Sequence, residues 1–350
     1  HPVVLHISTI KGYGYDIAVK NKELWHWCDP FDRETGISKV TYPDETYFTV
    51  LNNYIMDRAK KDDNFLLINP SYAMCAELSE DQRKTLGKKY IDVGIAEEHA
   101  IAMASGAAKN GSNVLLMVDA SFIMRTLDQT LQDLSLNENP TTILVHYSSV
   151  GCEDKTHTGI FTAPTFSNLP NLKVLAPTCK KELINMLDWS MDQKDYPVMI
   201  FVPRGDVSHR DVNTDFTLGK YLIEKNGENI AIIAVASMYQ YAEKLLTDIK
   251  NKLNIDATLV NPRTISDIDC ETLDIIKKNH KLIITMEDNS RFGGLGEKIA
   301  DYLSDSDIKV KCFAPKKMFY DEYIEDVIFK KNDMTNEKIL DYIEGAIKNI

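Results

Sequence analysis

Three features of the sequence predict an α/β fold made of two doubly wound domains. Short, continuously apolar runs at residues 65–68, 114–118 and 141–147 alternate with helical patterns. Runs that do not alternate in polarity suit strands covered on both faces, and strand–helix alternation builds a parallel sheet. The alternation then starts afresh after residues 213–219, which marks a second domain. A chain of 350 residues, 44% of them hydrophobic, is long enough for two or three cores.

The elements follow in order. Residues 1–9 read as a strand already under way. Because residue 1 is His rather than Met, the chain reads as a piece of a longer one or as a processed one. Lys11-Gly12-Tyr13-Gly14-Tyr15 is a glycine-rich turn, and residues 25–36 form an aromatic, irregular linker. In the first sheet a helix near 46–61 leads to the strand at 65–68. A helix of small residues running from Asp92 to Gly111 leads to 114–118, and a helix near 122–136 leads to 141–147. A strand at 172–175, a helix at 180–191 and a strand at 198–202 complete it. The second domain has strands at 230–236, 257–260, 282–286 and 310–313, and helices at 239–253 and 337–350. Gly293-Gly294-Leu295-Gly296 opens a further helix ending near Leu303. Such a run can cradle a phosphate or be only a turn.

Composition narrows the function. A net charge of −12 opposes nucleic-acid binding, which needs clustered cations, but leaves room for a small phosphorylated ligand. The six cysteines form no CxxC pair and read as reduced cytosolic thiols rather than a disulfide frame or zinc site. No apolar run is long enough to span a membrane and no signal peptide is visible.

In parallel sheets ligands bind beyond the carboxyl ends of the strands. Four loops follow such ends: Asn69-Pro70-Ser71, Asp119-Ala120-Ser121-Phe122, residues 148–159 and Pro203-Arg204-Gly205. All four should face one crevice. Helical spacing puts Glu97 on the same face as Ala100, Ile101, Ala104 and Ala108, with Glu98 toward solvent. A carboxylate on an apolar face is costly unless satisfied. It is either held by N–H groups of the first helical turn or kept as a partner for a buried ligand. His157 is either turn chemistry or a proton shuttle at the crevice. Arg204 is either a surface ion pair or a fork for phosphate or carboxylate. Phe122 is either core or a plate for a flat ring.

Asp92–Ala100 as DVGIAEEHA, residues 122–129 as FIMRTLDQ, residues 156–159 as THTG and Pro203-Arg204-Gly205 resemble the 1-deoxy-D-xylulose-5-phosphate synthases. These are thiamine-diphosphate enzymes of the transketolase superfamily. Asn261-Pro262-Arg263 and residues 293–296 resemble their carboxyl-terminal domain. The resemblance implies residues 1–43 as the end of a diphosphate-binding domain plus linker, 44–212 as a pyrimidine-binding domain, and 213–350 as a transketolase C-terminal domain. The motif that binds Mg2+ and diphosphate belongs to the first of these domains and is not found here, so a missing N-terminal domain or a separate subunit should supply it. The resemblance further implies a cytoplasmic homodimer. Its reaction moves a two-carbon unit from decarboxylated pyruvate, a small 2-oxo acid, to an aldehyde such as glyceraldehyde 3-phosphate, for isoprenoid and thiamine precursors.

By position, the resemblance makes Glu97 the carboxyl that contacts the aminopyrimidine ring, Phe122 the ring that stacks on it and Arg125 a neighbour. His157 becomes the proton-transfer residue near the reacting carbon. Arg204 binds the acceptor's phosphate, and Lys11 and His26 lie at the edge of the site. Three departures fall on the acceptor side. Asp119 stands where a tyrosine is expected. His146-Tyr147 replaces Asp-Arg, losing an arginine. Glu153 best matches the aspartate before THTG, with Asp154 the alternative. An added carboxylate and a lost arginine should weaken binding of a phosphate dianion, so the acceptor is expected to differ from glyceraldehyde 3-phosphate or to bind differently. The alternatives are a transketolase, a 2-oxo-acid dehydrogenase β-subunit, and a non-catalytic subunit that keeps the fold to pair with other chains.

Overall fold

The computed structural model describes all residues except 72–75, 147–149, 151–154, 204, 214, 323 and 349–350. The chain divides into a small unit, His1–Thr46, and a large one, Tyr47–Ile350. In the small unit, helix α1 (Asp16–Lys20) is followed by an aromatic cluster. Trp25 meets Tyr15 and Phe31 edge-on at ring centroid distances of 5.1 and 4.6 Å. The expected strand at residues 1–9 does not form. Val3, Val4, Leu5 and Ile7 are exposed, and without a ladder partner an extended segment leaves its backbone groups to water.

The large unit holds two sheets. In the first, strands and helices run α2 (Tyr47–Lys61), β1 (Phe65–Asn69), α3 (Glu80–Leu86), β2 (Tyr90–Asp92), α4 (Glu97–Lys109) and β3 (Asn113–Asp119). They continue with α5 (Ala120–Ile123), α6 (Leu127–Gln129), β4 (Thr141–His146), α7 (Thr162–Phe166), β5 (Lys173–Leu175), α8 (Lys180–Asp192) and β6 (Val198–Phe201). The six strands pair in the order β2-β1-β3-β4-β6-β5, every pair parallel. One face packs under α2, α3 and α8 through Leu51, Ile55, Leu67, Leu144 and Leu187. The other packs under α4 through Ala100, Ile101, Ala104, Leu116 and Val145.

The second sheet comprises β7 (Leu222–Lys225), β8 (Asn229–Ala234), β9 (Thr258–Asn261), β10 (His280–Met286) and β11 (Lys309–Phe313). Its order is β11-β10-β8-β9-β7, parallel except for the antiparallel edge strand β7. Helices α9 (Met238–Leu253), α10 (Cys270–Asn279), α11 (Leu295–Tyr302), α12 (Glu325–Lys331) and α13 (Asn336–Ile347) cover it. Among the described residues no helix is long and apolar enough to cross a membrane.

Two local expectations need correction. The small-residue helix starts at Glu97, not Asp92, because residues 90–92 pair with β1 as an edge strand. Asp92 Oδ1 then accepts N–H bonds from Gly94 at 2.8 Å and Ser71 at 3.2 Å. Gly94 takes φ +71° in this turn, a conformation only glycine adopts without strain. The helix expected at 122–136 is instead a chain of short α, 3₁₀ and π segments. Thr126 donates its hydroxyl to Ile123 O at 2.8 Å and lies 3.1 Å from the Thr130 hydroxyl. Such back-bonding competes with the regular ladder.

The two sheets are stapled together. Leu175 and Thr264 form an antiparallel bridge, and Ala176 N–H donates to Arg263 O at 2.9 Å. Arg263 Nε pairs with Glu182 at 3.1 Å, both side chains buried. Asn261 Nδ2 and the Thr178 hydroxyl also bond Glu182, at 2.8 and 2.6 Å. Lys298 Nζ donates to Ser167 O at 3.0 Å and Ile265 O at 2.9 Å. Asn261-Pro262-Arg263 is therefore a joint between the sheets.

Candidate functional site

The strand order brings the ends of β1, β3, β4 and β6 side by side, so the loops after them share the carboxyl edge of the first sheet. Glu97 is the first residue of α4 and is 3% exposed. Its partner among the described residues is Arg125, whose Nη1 donates to Oε2 at 3.3 Å, rather than the N–H groups of the first turn. The half-exposed Arg125 also lies 3.8 Å from Glu98.

Asp119 ends β3 and caps the turn that follows. Its Oδ1 accepts from Ser121 N–H at 2.8 Å and from the Ser121 hydroxyl at 2.6 Å. Burial pushes its carboxyl up, against the pull of those two bonds and of nearby His157. The cap aims the next residue, Phe122, edge-on to the His157 ring at 5.7 Å between centroids. The Thr156 hydroxyl lies 2.9 Å from His157 Nδ1. Thr162 donates its hydroxyl to Ala120 O at 2.7 Å, tying the loop after β3 to the segment after His157.

The structure thus gathers Glu97 with Arg125, and Asp119 with Phe122 and His157, along one edge. Lys11 and His26 lie in the small unit, where Lys11 Nζ contacts His26 Nδ1. Tyr147, Glu153 and Arg204 fall outside the described residues. Among the described residues no group of three or more His, Cys, Asp or Glu side chains is placed to hold a metal ion. The described cysteines 28, 179, 270 and 312 are free thiols.

Two features were not legible in the sequence. His146, at the end of β4, is 1% exposed and stacks on Phe48 at 5.5 Å. Its Nε2 has no hydrogen-bond partner among the described residues, and burial pushes its pKa down to about 3. It is a neutral imidazole next to Asp119 in the strand register. The loop after β4 is also anchored by the second domain. Val150 and Ile160 pack among Ile232, Leu259 and Met286, and Ser290 N–H donates to Ile160 O at 2.8 Å. Only residues distant in the chain supply that anchor, so no local pattern announces it.

The glycine run at 293–296 cradles a carboxylate of the protein itself. Buried Glu287 accepts N–H bonds from Leu295 at 2.8 Å and Gly296 at 2.7 Å. A Cβ on Gly294 or Gly296 would stand 2.8 or 2.9 Å from its oxygens. That helix start is occupied, so the phosphate use considered for it is set aside.

Residues 46–209 match the pyrimidine-binding domain of transketolase, and residues 219–339 match the transketolase C-terminal domain. The fold matches a split-gene transketolase solved as an inactive β4 tetramer, with TM-score 0.74 and 19% identity over 86% of this chain and 98% of that one. It also matches transketolase from Campylobacter jejuni, with TM-score 0.70 and 16% identity over 88% of this chain and 48% of that one. The chain belongs to the transketolase superfamily, of which it carries the pyrimidine-binding and C-terminal domains. Within that superfamily its sequence is similar to 1-deoxy-D-xylulose-5-phosphate synthases. It is 31% identical to that of Clostridium acetobutylicum over 100% of this chain and 56% of the relative. It is 34% identical to that of Clostridium perfringens over 97% and 55%. The chain therefore spans about half the length of the curated relatives it matches.

Proposed function

We propose that this chain is the pyrimidine-binding and C-terminal part, residues 44–212 and 213–350, of a thiamine-diphosphate-dependent transferase. The protein would move a two-carbon unit from a decarboxylated 2-oxo acid to an aldehyde. The observation that carries the proposal is a buried carboxyl, Glu97, on the same strand-end edge as an aromatic ring and an imidazole, Phe122 and His157. A scaffold has no use for that combination, since a buried carboxylate costs stability.

The described residues fit one half of the cofactor. Glu97 would hold the aminopyrimidine ring, Phe122 would lie against its face, and Arg125 would keep the Glu97 carboxyl in place. The donors for Mg2+ and the diphosphate would come from another domain or subunit, with residues 1–43 leading out of it. When bound, thiamine diphosphate supplies the electron sink that decarboxylation of a 2-oxo acid needs. His157 moves a proton to the acceptor's carbonyl oxygen, and Asp119 fixes the Phe122 turn beside it. Arg204, Tyr147 and Glu153 would line the acceptor side. Asp119 in place of tyrosine adds a carboxylate and His146-Tyr147 in place of Asp-Arg removes an arginine, which favours an acceptor other than glyceraldehyde 3-phosphate. A homodimer and a role in isoprenoid or thiamine precursor synthesis go with the relatives' reaction.

The test is product analysis with the full-length protein, pyruvate, thiamine diphosphate, Mg2+ and a panel of aldehydes. His157→Gln should lower carbon–carbon ligation about 100-fold, within the usual range for a proton-transfer residue, while CO2 release falls far less. Equal loss of both, or of neither, would remove His157 from the acceptor step. Full efficiency with glyceraldehyde 3-phosphate would remove the altered-acceptor reading.

A further inference from the structure

A hollow of about 490 Å³ opens beside His157, walled by Ser121, Met124, Lys155, Thr156, Thr158, Phe161 and Phe319. Thr156 and Thr158 flank the imidazole in sequence, and Ser121 precedes Phe122. The hollow therefore adjoins the two rings of the candidate site. The larger cavity of about 690 Å³ lies at the opposite edge of the sheet, by Asp62, Asp63 and Asn113 before β1 and β3. It is lined by mixed charges and is far from this chemistry.

Several observations define what the hollow could hold. Its long walls are apolar: Met124, Phe161 and Phe319. Phe319 comes from the second domain, is 64% exposed and meets Phe161 edge-on at 5.8 Å. Its lining cation, Lys155, is paired with Asp321 at 3.4 Å. The Thr158 residue is more than nine-tenths buried, and its hydroxyl has no hydrogen-bond partner among the described residues. Among the described residues the hollow offers a phosphate dianion one lining cation, and that cation already has a carboxylate partner. An uncharged apolar chain would instead gain by leaving water. The volume falls within the span of about 300–1,000 Å³ common for small-molecule sites.

Resting on the reading under Proposed function, we propose that this hollow takes the chain of the acceptor, and that the acceptor is an unphosphorylated aldehyde with an aliphatic or aromatic tail. In the reaction the carboxyl group of the 2-oxo acid leaves as CO2. The remaining two-carbon unit bonds to the aldehyde carbon, and the aldehyde oxygen takes up one proton. Phe319 sets the specificity by closing the apolar wall from the second domain.

Two measurements on the full-length protein separate the hollow from the reaction. The first uses hexan-1-ol as an unreactive probe and reads saturation transfer by NMR. The wild type should give a signal that Phe319→Asp abolishes. No signal, or an equal signal from both, overturns the hollow whatever the enzyme does. The second is steady-state turnover with pyruvate. kcat/KM should rise by about tenfold or more from ethanal to hexanal, as burial of each added methylene contributes. Hexanal should also exceed glyceraldehyde 3-phosphate. Phe319→Asp should lower hexanal efficiency about tenfold while CO2 release from pyruvate stays within about twofold. No gain with chain length, or a Phe319→Asp variant unchanged toward hexanal, overturns the specificity. Absence of CO2 release from pyruvate would instead remove the underlying reading of function, and the probe alone would then decide the hollow.

Discussion

The residues of the candidate site sit singly at strand ends, and their environments differ in ways the chain order hides. Glu97 could be placed on the buried face of a helix from spacing alone, but not its pairing with Arg125, 28 positions away. His146 was read only as a departure from a family pattern. Its burial follows from its place at the end of the central strand β4, under Phe48. That burial has a pH consequence. With its folded pKa pushed down to about 3, the neutral form is favoured in the fold. The stability it contributes is complete above the ordinary value near 6.5 and is lost as pH falls from there toward 3. Asp288 acts in the opposite sense. Burial pushes it up to about 7, so it costs stability as pH rises from 3.8 toward 7. The whole-protein curve mixes the two, and a difference between variants isolates one. His146→Phe should keep the stack on Phe48 and lose less stability than wild type between pH 7 and pH 5, read by denaturant titration at each pH. Parallel loss in both proteins would mean that His146 is not held neutral.

Among the elements, the strands were legible and the turns between them were not. Runs such as residues 114–118 and 198–202 announce themselves because both faces of a parallel strand are covered. The edge strands β2 and β7 have no fully buried position to give such a signal and were missed, whereas the edge strands β5 and β11 keep buried residues and were read. The start of α4 was misplaced by five residues because the Asx turn at Asp92 and the helix share one small-residue pattern. The glycine run before α11 looked like a phosphate cradle and proved to hold Glu287. This makes a sharp prediction for the element. A Cβ on Gly296 would fall 2.3 Å from Thr285 Oγ1 and 2.8 Å from Cys312 Sγ. Gly296→Ala should therefore push α11 off β10 and cost about 1–3 kcal/mol, the range for overpacking a filled core. Thermal unfolding reads it. An unchanged midpoint would show that α11 can shift without cost.

For the molecule as a whole, the two sheets of the large unit act as one body because buried polar joints span them. Arg263 with Glu182, and Lys298 with Ser167, leave no easy plane of separation. The second domain also holds the loop that carries His157, through Ile160 and Ser290. The fold class was readable from alternation alone, since two sets of strands and helices need little else. The support of one domain's site by the other was not readable, because it depends on contacts more than 100 residues apart. Under the proposed function this edge serves thiamine-diphosphate-dependent decarboxylation through Glu97. The most direct test is release of labelled CO2 from carboxyl-labelled pyruvate by the full-length protein, with and without thiamine diphosphate, for wild type and Glu97→Ala. Release should depend on the cofactor and fall at least about 100-fold in the variant. Release that persists unchanged in Glu97→Ala, or none from wild type supplied with cofactor and Mg2+, would contradict it.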